Sequence, residues 1–359
     1  MKPLLELTGF GQSIWLDSLS RTLLREGELS EMIQQDGVTG VTSNPSILYK
    51  ALSESPYYQD DLVWVKSNEI VQERRYEALA IADIQAACDL LRPVFEQSKG
   101  NDGYVSLEVS PRLAHDEVTT ELEAKRLSQA VARENLLIKV PGTPQGVLAF
   151  EHLIADGINV NVTLLFSLQH VVRVFEAYIR GLNRRLANGG DTDKVKAVAS
   201  IFLSRVDTLV DKLLTDIGTA EALALRGKTA VAMAKLAYQR YKEMFHGDLF
   251  TDLAQVGSRP QYLLWASTST KNPAYKDVMY VEPLIGPETI NTLPDATLGA
   301  FRDHGIPALT LEENVKEAKD HYLHLEKIGI DMDAVGEQLQ KEGVKLFDEA
   351  YSQLLERVA

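Results

Sequence analysis

Only one cysteine occurs in the sequence, Cys88, so no disulfide can form within one chain. The sequence also has no run of 18 apolar residues, whereas a membrane-spanning helix needs about 20. Residues 1–13 lack a basic segment followed by an apolar one, so we expect no signal peptide. These absences predict a protein of a reducing compartment, the cytoplasm, without a membrane partner.

The charge balance argues against nucleic acid as the main partner. Lys and Arg total 37 against 51 Asp and Glu, a formal net charge of −14, whereas binding to nucleic-acid phosphates depends on clustered positive charge. The negative net charge does not exclude a small phosphorylated ligand, because binding one needs only two or three hydrogen-bond donors close together. The excess of acidic residues favours solubility. It does not decide whether the protein forms a homo-oligomer.

Metal and nucleotide motifs are absent as well. Neither His-Glu-x-x-His nor Cys-x-x-Cys occurs, and the seven histidines are scattered. No glycine-rich phosphate fingerprint follows the first predicted strand. We therefore expect no metal site and no cofactor.

What the sequence does contain is a regular alternation of short β-rich apolar runs with longer stretches of helical apolar spacing. This pattern predicts parallel strands joined by crossover helices, and eight units favour a closed (β/α)8 TIM barrel, a single α/β domain over residues 1–359. An open doubly wound sheet is the second choice. The eight predicted strands are 13–19, 37–44, 104–110, 136–143, 158–167, 197–205, 262–268 and 279–285.

Two connections are long, those between strands 2 and 3 and between strands 6 and 7. They carry apolar periodicity without Pro/Gly/Ser tracts, which predicts extra helices. Residues 287–359 are predicted to be C-terminal helices packed on the barrel, and the last of them has one apolar face. Plain packing is the favoured role for that helix, and the sequence does not decide whether the long connections close the site or buttress it.

Lys139 stands in the middle of the fourth predicted strand. Because side chains alternate along a strand, Lys139 faces the barrel interior if Ile138 and Val140 pack against the covering helices. A lysine in apolar surroundings favours its neutral amine, which can attack a carbonyl carbon. The plainer interpretation is a lysine at a strand end whose ammonium reaches solvent or a carboxylate.

Polar residues at the other strand ends favour the first interpretation. In such barrels the reactive residues lie at the carboxyl ends of the strands, and several buried polar groups meeting at one rim are costly unless they have a function. The residues at these ends, in chain order, are Asp17, Asn44, Glu108, Lys139, Asn161, Thr163, Ser200, Phe202, Arg205, Ser267 and, in the loop that follows, Lys271. Glu282 would end the eighth predicted strand, and we favour a salt-bridge role for it.

The chemistry that fits these residues is Schiff-base catalysis. Lys139 would attack a ketone, and Glu108 with the Thr163 hydroxyl would relay protons through a water while the carbinolamine loses water. Asp17 would then accept the proton of the β-hydroxyl as the adjacent C–C bond breaks. Asn44 and Asn161 can hydrogen-bond the hydroxyls of a sugar.

Four segments also resemble a known family. The segment 37–47 reads Gly-Val-Thr-Gly-Val-Thr-Ser-Asn-Pro-Ser-Ile, and 137–143 reads Leu-Ile-Lys-Val-Pro-Gly-Thr. The third, 159–167, reads Asn-Val-Asn-Val-Thr-Leu-Leu-Phe-Ser, and the fourth covers 200–205. These segments are similar to the transaldolases, and together they span nearly the whole predicted barrel. The length of the chain and the Ser-Thr-Ser-Thr-Lys-Asn-Pro loop at 267–273 resemble a longer bacterial branch of that family.

The resemblance implies a (β/α)8 barrel that moves a three-carbon dihydroxyacetone unit between sugar phosphates in the pentose phosphate pathway. It implies Lys139 as the nucleophile, Asp17 as acid and base, and Glu108 with Thr163 as the pair that holds water. It also implies that Asn44 and Asn161 bind the dihydroxyacetone hydroxyls, and that Ser200 and Arg205 lie at positions that contact phosphate.

One segment departs from the family. Many transaldolases have a phosphate-binding arginine after the seventh strand, where this sequence reads Trp-Ala-Ser-Thr-Ser-Thr-Lys-Asn-Pro over 265–273. We expect Ser267 and Lys271 to replace it, with Lys271 as a point charge.

Two other functions remain open. One is a lyase of the fructose-6-phosphate aldolase type, which resembles shorter barrels that carry glutamine and tyrosine where this sequence has Glu108 and Phe202; both positions favour the transferase. The other is a non-catalytic protein that binds sugar phosphates.

Overall fold

Eight parallel strands form a closed barrel in the computed structural model, which describes residues 2–69 and 71–359. Each strand pairs with its neighbours in the sequence, and the eighth closes on the first. The strands are β1 (Gln12–Leu16), β2 (Val38–Thr42), β3 (Val105–Glu108), β4 (Leu136–Pro141), β5 (Val160–Leu165), β6 (Ala197–Phe202), β7 (Tyr262–Ala266) and β8 (Thr289–Leu293). The predicted (β/α)8 barrel is therefore confirmed.

Helices surround the barrel and connect its strands. They are α1 (Pro3–Gly9), α2 (Arg21–Arg25), α3 (Glu28–Asp36), α4 (Pro45–Glu54), α5 (Gln59–Asn68), α6 (Gln72–Gln97), α7 (Glu117–Val131), α8 (Pro144–Ala155), α9 (Leu168–Ala187), α10 (Ser204–Ile217), α11 (Ala220–Leu223), α12 (Thr229–Phe245), α13 (Thr251–Gln255), α14 (Asp295–His304), α15 (Val315–Lys327) and α16 (Met332–Val358). The connections after β2 and after β6 each contain several of them. In the part of the chain that the structure describes, no helix has the length and hydrophobicity to cross a membrane.

At three places on the carboxyl rim, a residue just after a strand already caps the next helix, so the chain turns sharply there. Asn44, Thr143 and Ser167 each follow a strand closely and accept a hydrogen bond from a backbone N–H in the first turn of the next helix. Proline at the first position of α4 and of α8 suits these starts, because the N–H that it lacks would have no partner there. Three of the loops at the rim are thus short and end in a side-chain cap.

The eighth strand lies later in the chain than the sequence predicted. Residues 279–285 form no strand, and Glu282–Leu284 is instead a turn of 3-10 helix. Pro283 explains this, because its ring nitrogen cannot donate to a neighbouring strand. The β-branched residues of Thr289–Leu293 form β8 instead, so the segment predicted as C-terminal helices, 287–359, begins with the last barrel strand. Glu282 is not at a strand end, and it pairs with Lys276 at 2.5 Å.

The C-terminal helix α16 crosses the carboxyl-end side of the barrel. It contacts α4, α6 and α10 and also strand β5. Phe347, Tyr351, Leu354 and Leu355 on its apolar face are buried, as the pattern predicted. Its position places it beside the polar strand ends rather than on the outer wall.

Candidate active site

A cavity of about 390 Å³ opens at the carboxyl ends of the strands. Nine of the eleven residues predicted for the site line it: Asp17, Asn44, Lys139, Thr163, Ser200, Phe202, Arg205, Ser267 and Lys271. The other two, Glu108 and Asn161, lie directly beside lining residues, as described below. A larger groove of about 940 Å³ lies on the outer surface between α9, α12 and α15. It holds none of these residues, so the smaller cavity is the candidate active site.

Lys139 lies inside the barrel with only 5% of its surface exposed. In the sheet it is level with Glu108 of β3 and with Asn161 of β5. Its Nζ donates to the Ser43 carbonyl oxygen at 3.3 Å and lies 3.8 Å from the nearest Glu108 carboxylate oxygen. The Phe347 ring centroid is 5.8 Å from the same nitrogen. The amine thus lies inside the barrel beside a carboxylate that can exchange protons with it or with a bound ligand.

Glu108 can both give and take a proton near neutral pH. Burial raises the pKa of its carboxyl group to about 7, the charge of Asp17 adds to that rise, and Lys139 opposes it. Among the described residues, Glu108 Oε2 and the buried Thr163 Oγ1 have no hydrogen-bond partner. Buried polar atoms without a protein partner are what a bound water satisfies.

Asp17 follows β1 and is held by threonines. Its Oδ1 accepts a hydrogen bond from Thr42 Oγ1 at 2.7 Å, and that hydroxyl also lies 2.6 Å from Thr292 Oγ1. Burial raises the pKa of Asp17, while Lys139 and the Thr42 hydrogen bond act in the opposite direction. Asp17 is therefore a more basic carboxylate than one in water.

The two asparagines differ in what they offer a ligand. Asn161 is fully buried; its Nδ2 donates to Ser106 Oγ at 3.1 Å, and its Oδ1 accepts from Ser200 Oγ at 2.7 Å. It therefore lies beneath Ser200, and its second amide N–H is left for a further partner. Asn44 uses Oδ1 to cap α4. Capping leaves its amide nitrogen for other partners.

Positive charge lines one side of the cavity. Arg205, in the first turn of α10, has its guanidinium carbon 5.6 Å from the Phe202 ring centroid and 5.9 Å from that of Phe347. Burial lowers the pKa of this guanidinium. Ser267 has a left-handed backbone, with φ of 54°, and its hydroxyl lies 2.8 Å from that of Ser204. Lys271 Nζ donates to Ser269 Oγ at 2.6 Å.

The sequence did not indicate several residues that line the cavity: Ser46, Lys50, Ser269, Thr292 and Phe347. Thr292 was missed because the eighth strand was misplaced. Phe347 did carry a signal, since it lies on the apolar face of the last helix, but that face does not say which strands it covers.

Comparison with known proteins shows the family of the chain. The family model described as "Transaldolase/Fructose-6-phosphate aldolase" matches residues 14–358. The chain belongs to this family.

Full-length relatives bear the first of those two names. A transaldolase of Thiobacillus denitrificans is 60% identical over 98% of this chain and 98% of its own length. A transaldolase of Neisseria gonorrhoeae is 46% identical over 99% of each chain. The "Transaldolase 2" of a Nostoc species is 47% identical over 98% of this chain and 95% of its own. Family and relatives together support an enzyme of the transaldolase type.

Proposed function

We propose that the chain transfers a dihydroxyacetone unit through a Schiff base on Lys139. The donor is a ketose phosphate, sedoheptulose 7-phosphate or fructose 6-phosphate, and the acceptor is glyceraldehyde 3-phosphate or erythrose 4-phosphate, as in the pentose phosphate pathway of the cytoplasm. The observation that carries the proposal is a buried lysine at the carboxyl rim, 3.8 Å from a carboxylate whose pKa burial raises to about 7.

The first half of the reaction joins the donor to the protein. Neutral Lys139 attacks the C2 ketone carbon and gives a carbinolamine. Glu108, acting through a water that also bonds the Thr163 hydroxyl, protonates the departing hydroxyl and later takes the proton back. A carboxyl group with a pKa near the working pH suits both directions.

The second half breaks and remakes a C–C bond. The iminium withdraws electrons from the C3–C4 bond, and Asp17 accepts the C4 hydroxyl proton as that bond breaks. The aldose phosphate leaves, and the three remaining carbons stay on Lys139 as an enamine. When an acceptor aldehyde adds to this enamine, Asp17 returns the proton to the new hydroxyl. Hydration of the iminium then releases the product ketose and the lysine.

Phosphate binding is assigned to the positive side of the cavity. Arg205 offers a planar fork of donors, and its position against two aromatic rings restricts it. Ser267 and Lys271 take the place of the arginine that many family members have after the seventh strand. The weaker geometric constraint of a lysine ammonium predicts a less directional grip on the phosphate.

The transferase is favoured over a lyase of the aldolase type. Phe202 has no hydroxyl with which to hold a water, and its ring packs 5.2 Å from the Phe166 centroid. Water is therefore less well placed at the enamine, and an acceptor aldehyde can compete for it. Assays with and without erythrose 4-phosphate separate the two reactions: a transferase forms sedoheptulose 7-phosphate, whereas a lyase releases dihydroxyacetone equally well without acceptor.

Reductive trapping tests the Schiff base. Fructose 6-phosphate and borohydride should add mass to the peptide that contains Lys139, and Lys139→Met should abolish the adduct. The matched control is Lys196→Met, because Lys196 is also buried but precedes β6 at the opposite end of the barrel. The Lys196→Met variant should form the same adduct on Lys139 as the unmodified protein. The lack of any adduct would favour a non-catalytic sugar-phosphate binder, whereas an adduct on another lysine would mean that Lys139 is not the nucleophile.

A further inference from the structure

A buried amide of α16 reaches the strand ends beside the site. Gln340 is 5% exposed, and its Nε2 donates to two carbonyl oxygens, that of Gly142 at 2.8 Å and that of Leu164 at 3.1 Å. Gly142 follows the strand of Lys139, and Leu164 follows Thr163 within β5. One side chain thus joins the backbones that carry both residues.

The strand that receives this hydrogen bond is irregular at the same point. Leu164 has a φ of 61°, in the left-handed region that leucine rarely adopts. The pairing of β5 with β6 shifts register between Val162 and Leu165. Backbone strain of this kind persists only where the surrounding structure holds it, and it is frequent beside active sites. Gln340 helps to stabilise this conformation, because its amide donates a hydrogen bond to the Leu164 carbonyl oxygen.

Helix α16 packs tightly on this irregularity. Gly336 approaches Ser167 so closely that an added Cβ would lie 2.7 Å from the serine Cβ. At Gly343 an added Cβ would lie 3.0 Å from Leu164 Cδ2. Gln340, Gly343 and Phe347 follow one another at helical spacing, so they share the face of α16 that meets the site.

We propose that Gln340 is a positioning residue for the water steps of the reaction. By holding the left-handed Leu164, it fixes the direction of the preceding Thr163 side chain, whose buried hydroxyl has no partner among the described residues. Thr163 can then share a water with Glu108 while the carbinolamine forms and breaks down. This inference rests on the proposed function of Thr163. It requires no role for Gln340 in phosphate binding, because Arg205 and Ser267 lie on other segments.

The first test replaces Gln340 by a residue of similar size without donors. Gln340→Met should lower kcat of transfer roughly tenfold to a hundredfold, because small displacements of a reacting group cost that much. KM for fructose 6-phosphate should stay within about twofold, because groups that bind the ground state are kept. The matched control is Gln338→Met on the same helix, where Gln338 is exposed and bonds Glu342 at 2.8 Å. It should leave both constants unchanged.

A double-mutant cycle shows whether Gln340 acts through Thr163. If it does, Thr163→Val combined with Gln340→Met should be no slower than Thr163→Val alone, because residues that act as a unit are not additive. Multiplied effects would overturn the inference and indicate a general structural role. A Thr163→Val variant with full transfer rate would instead refute the proposed role of Thr163, so the two failures are distinguishable.

A second variant decides the matter if Gln340→Met does not fold. Gly343→Ala introduces a better helix former, which favours folding, while its methyl group presses on Leu164. A reduced kcat at unchanged KM and undiminished melting temperature supports the inference. A wild-type kcat in this variant overturns it.

Discussion

Replacing Glu108 by glutamine should stabilise the protein and impair its reaction. The Glu108 side chain is 6% exposed, and burial raises its pKa to about 7, from an ordinary value of 4.5. Glutamine has nearly the shape of the protonated acid and never ionises. The variant therefore keeps, at every pH, the form that the folded protein favours.

The size and sign of the effect follow from the two pKa values. Between pH 4.5 and 7 the folded state holds a proton that the unfolded state has lost, so the free energy of unfolding decreases as the pH rises. Above pH 7 Glu108 is ionised in both the folded and the unfolded state, and the full free-energy cost of burying its charge is present. At about 1.36 kcal/mol per pKa unit, the shift of about 2.5 units corresponds to about 3 kcal/mol at pH 8. At pH 5 the same calculation gives about 0.8 kcal/mol.

Thermal unfolding at the two pH values measures this difference. An unfolding entropy of about 2.1 cal/mol/K per residue gives about 0.75 kcal/mol/K for the chain, so Glu108→Gln should raise Tm by about 4 °C at pH 8 and by about 1 °C at pH 5. Transfer should fall at least about a hundredfold, since the proton relay is lost. Glu54→Gln, at a glutamate with 67% of its side chain exposed, should change neither Tm nor rate.

Two results would refute this reasoning. An equal gain at both pH values would mean that the stabilisation does not come from ionisation of Glu108. A full transfer rate in Glu108→Gln would remove the carboxylate from the proton relay, whatever happens to stability.

Three further substitutions test the walls of the cavity. Lys271→Ala should raise KM for phosphorylated sugars with little change in kcat, and an unchanged KM in steady-state assays would remove Lys271 from the phosphate site. Phe202→Tyr should increase the release of free dihydroxyacetone without acceptor, because a phenol can hold a water at the enamine; no increase would argue against our distinction between transferase and lyase. Phe347→Ala should raise the ratio of dihydroxyacetone release to transfer, since it opens the side of the cavity next to Lys139 and Arg205, and an unchanged ratio would mean that α16 does not limit water access.

Much of the site could be predicted because parallel barrel strands are buried on both faces. Such strands read as continuous apolar runs, so a polar residue within or just after one stands out. Asp17, Glu108 and Lys139 were found in this way. Closure of the barrel then does what no local pattern can: it brings residues separated by more than a hundred positions to one rim.

The placement of the last strand could not be predicted, because two similar segments of the sequence fit the pattern of a buried strand. Two apolar runs, 279–285 and 289–293, compete for the last strand, and only the whole barrel decides between them. The sequence indicated that the last helix has an apolar face, but not that this face covers β5. Gln340 was not identified from the sequence. A signal was present, since it is a polar residue in line with Phe347, and a polar group on an apolar face implies a buried partner.

Burial alone does not distinguish Lys139, the nucleophile that we propose, from the other buried lysines. Lys196 is fully buried, its Nζ has no hydrogen-bond partner among the described residues, and burial lowers its pKa to about 7. Its Nζ lies 3.5 Å from the Tyr262 ring centroid, and the carboxylates that oppose the lowering of its pKa, Asp102 and Glu288, form no ion pair with it among the described residues. Lys196 therefore meets the criterion of an easily deprotonated amine, yet it lies at the amino ends of the strands. Lys139 differs in having Glu108 beside it and an open cavity above it, and both follow from its place at the carboxyl rim.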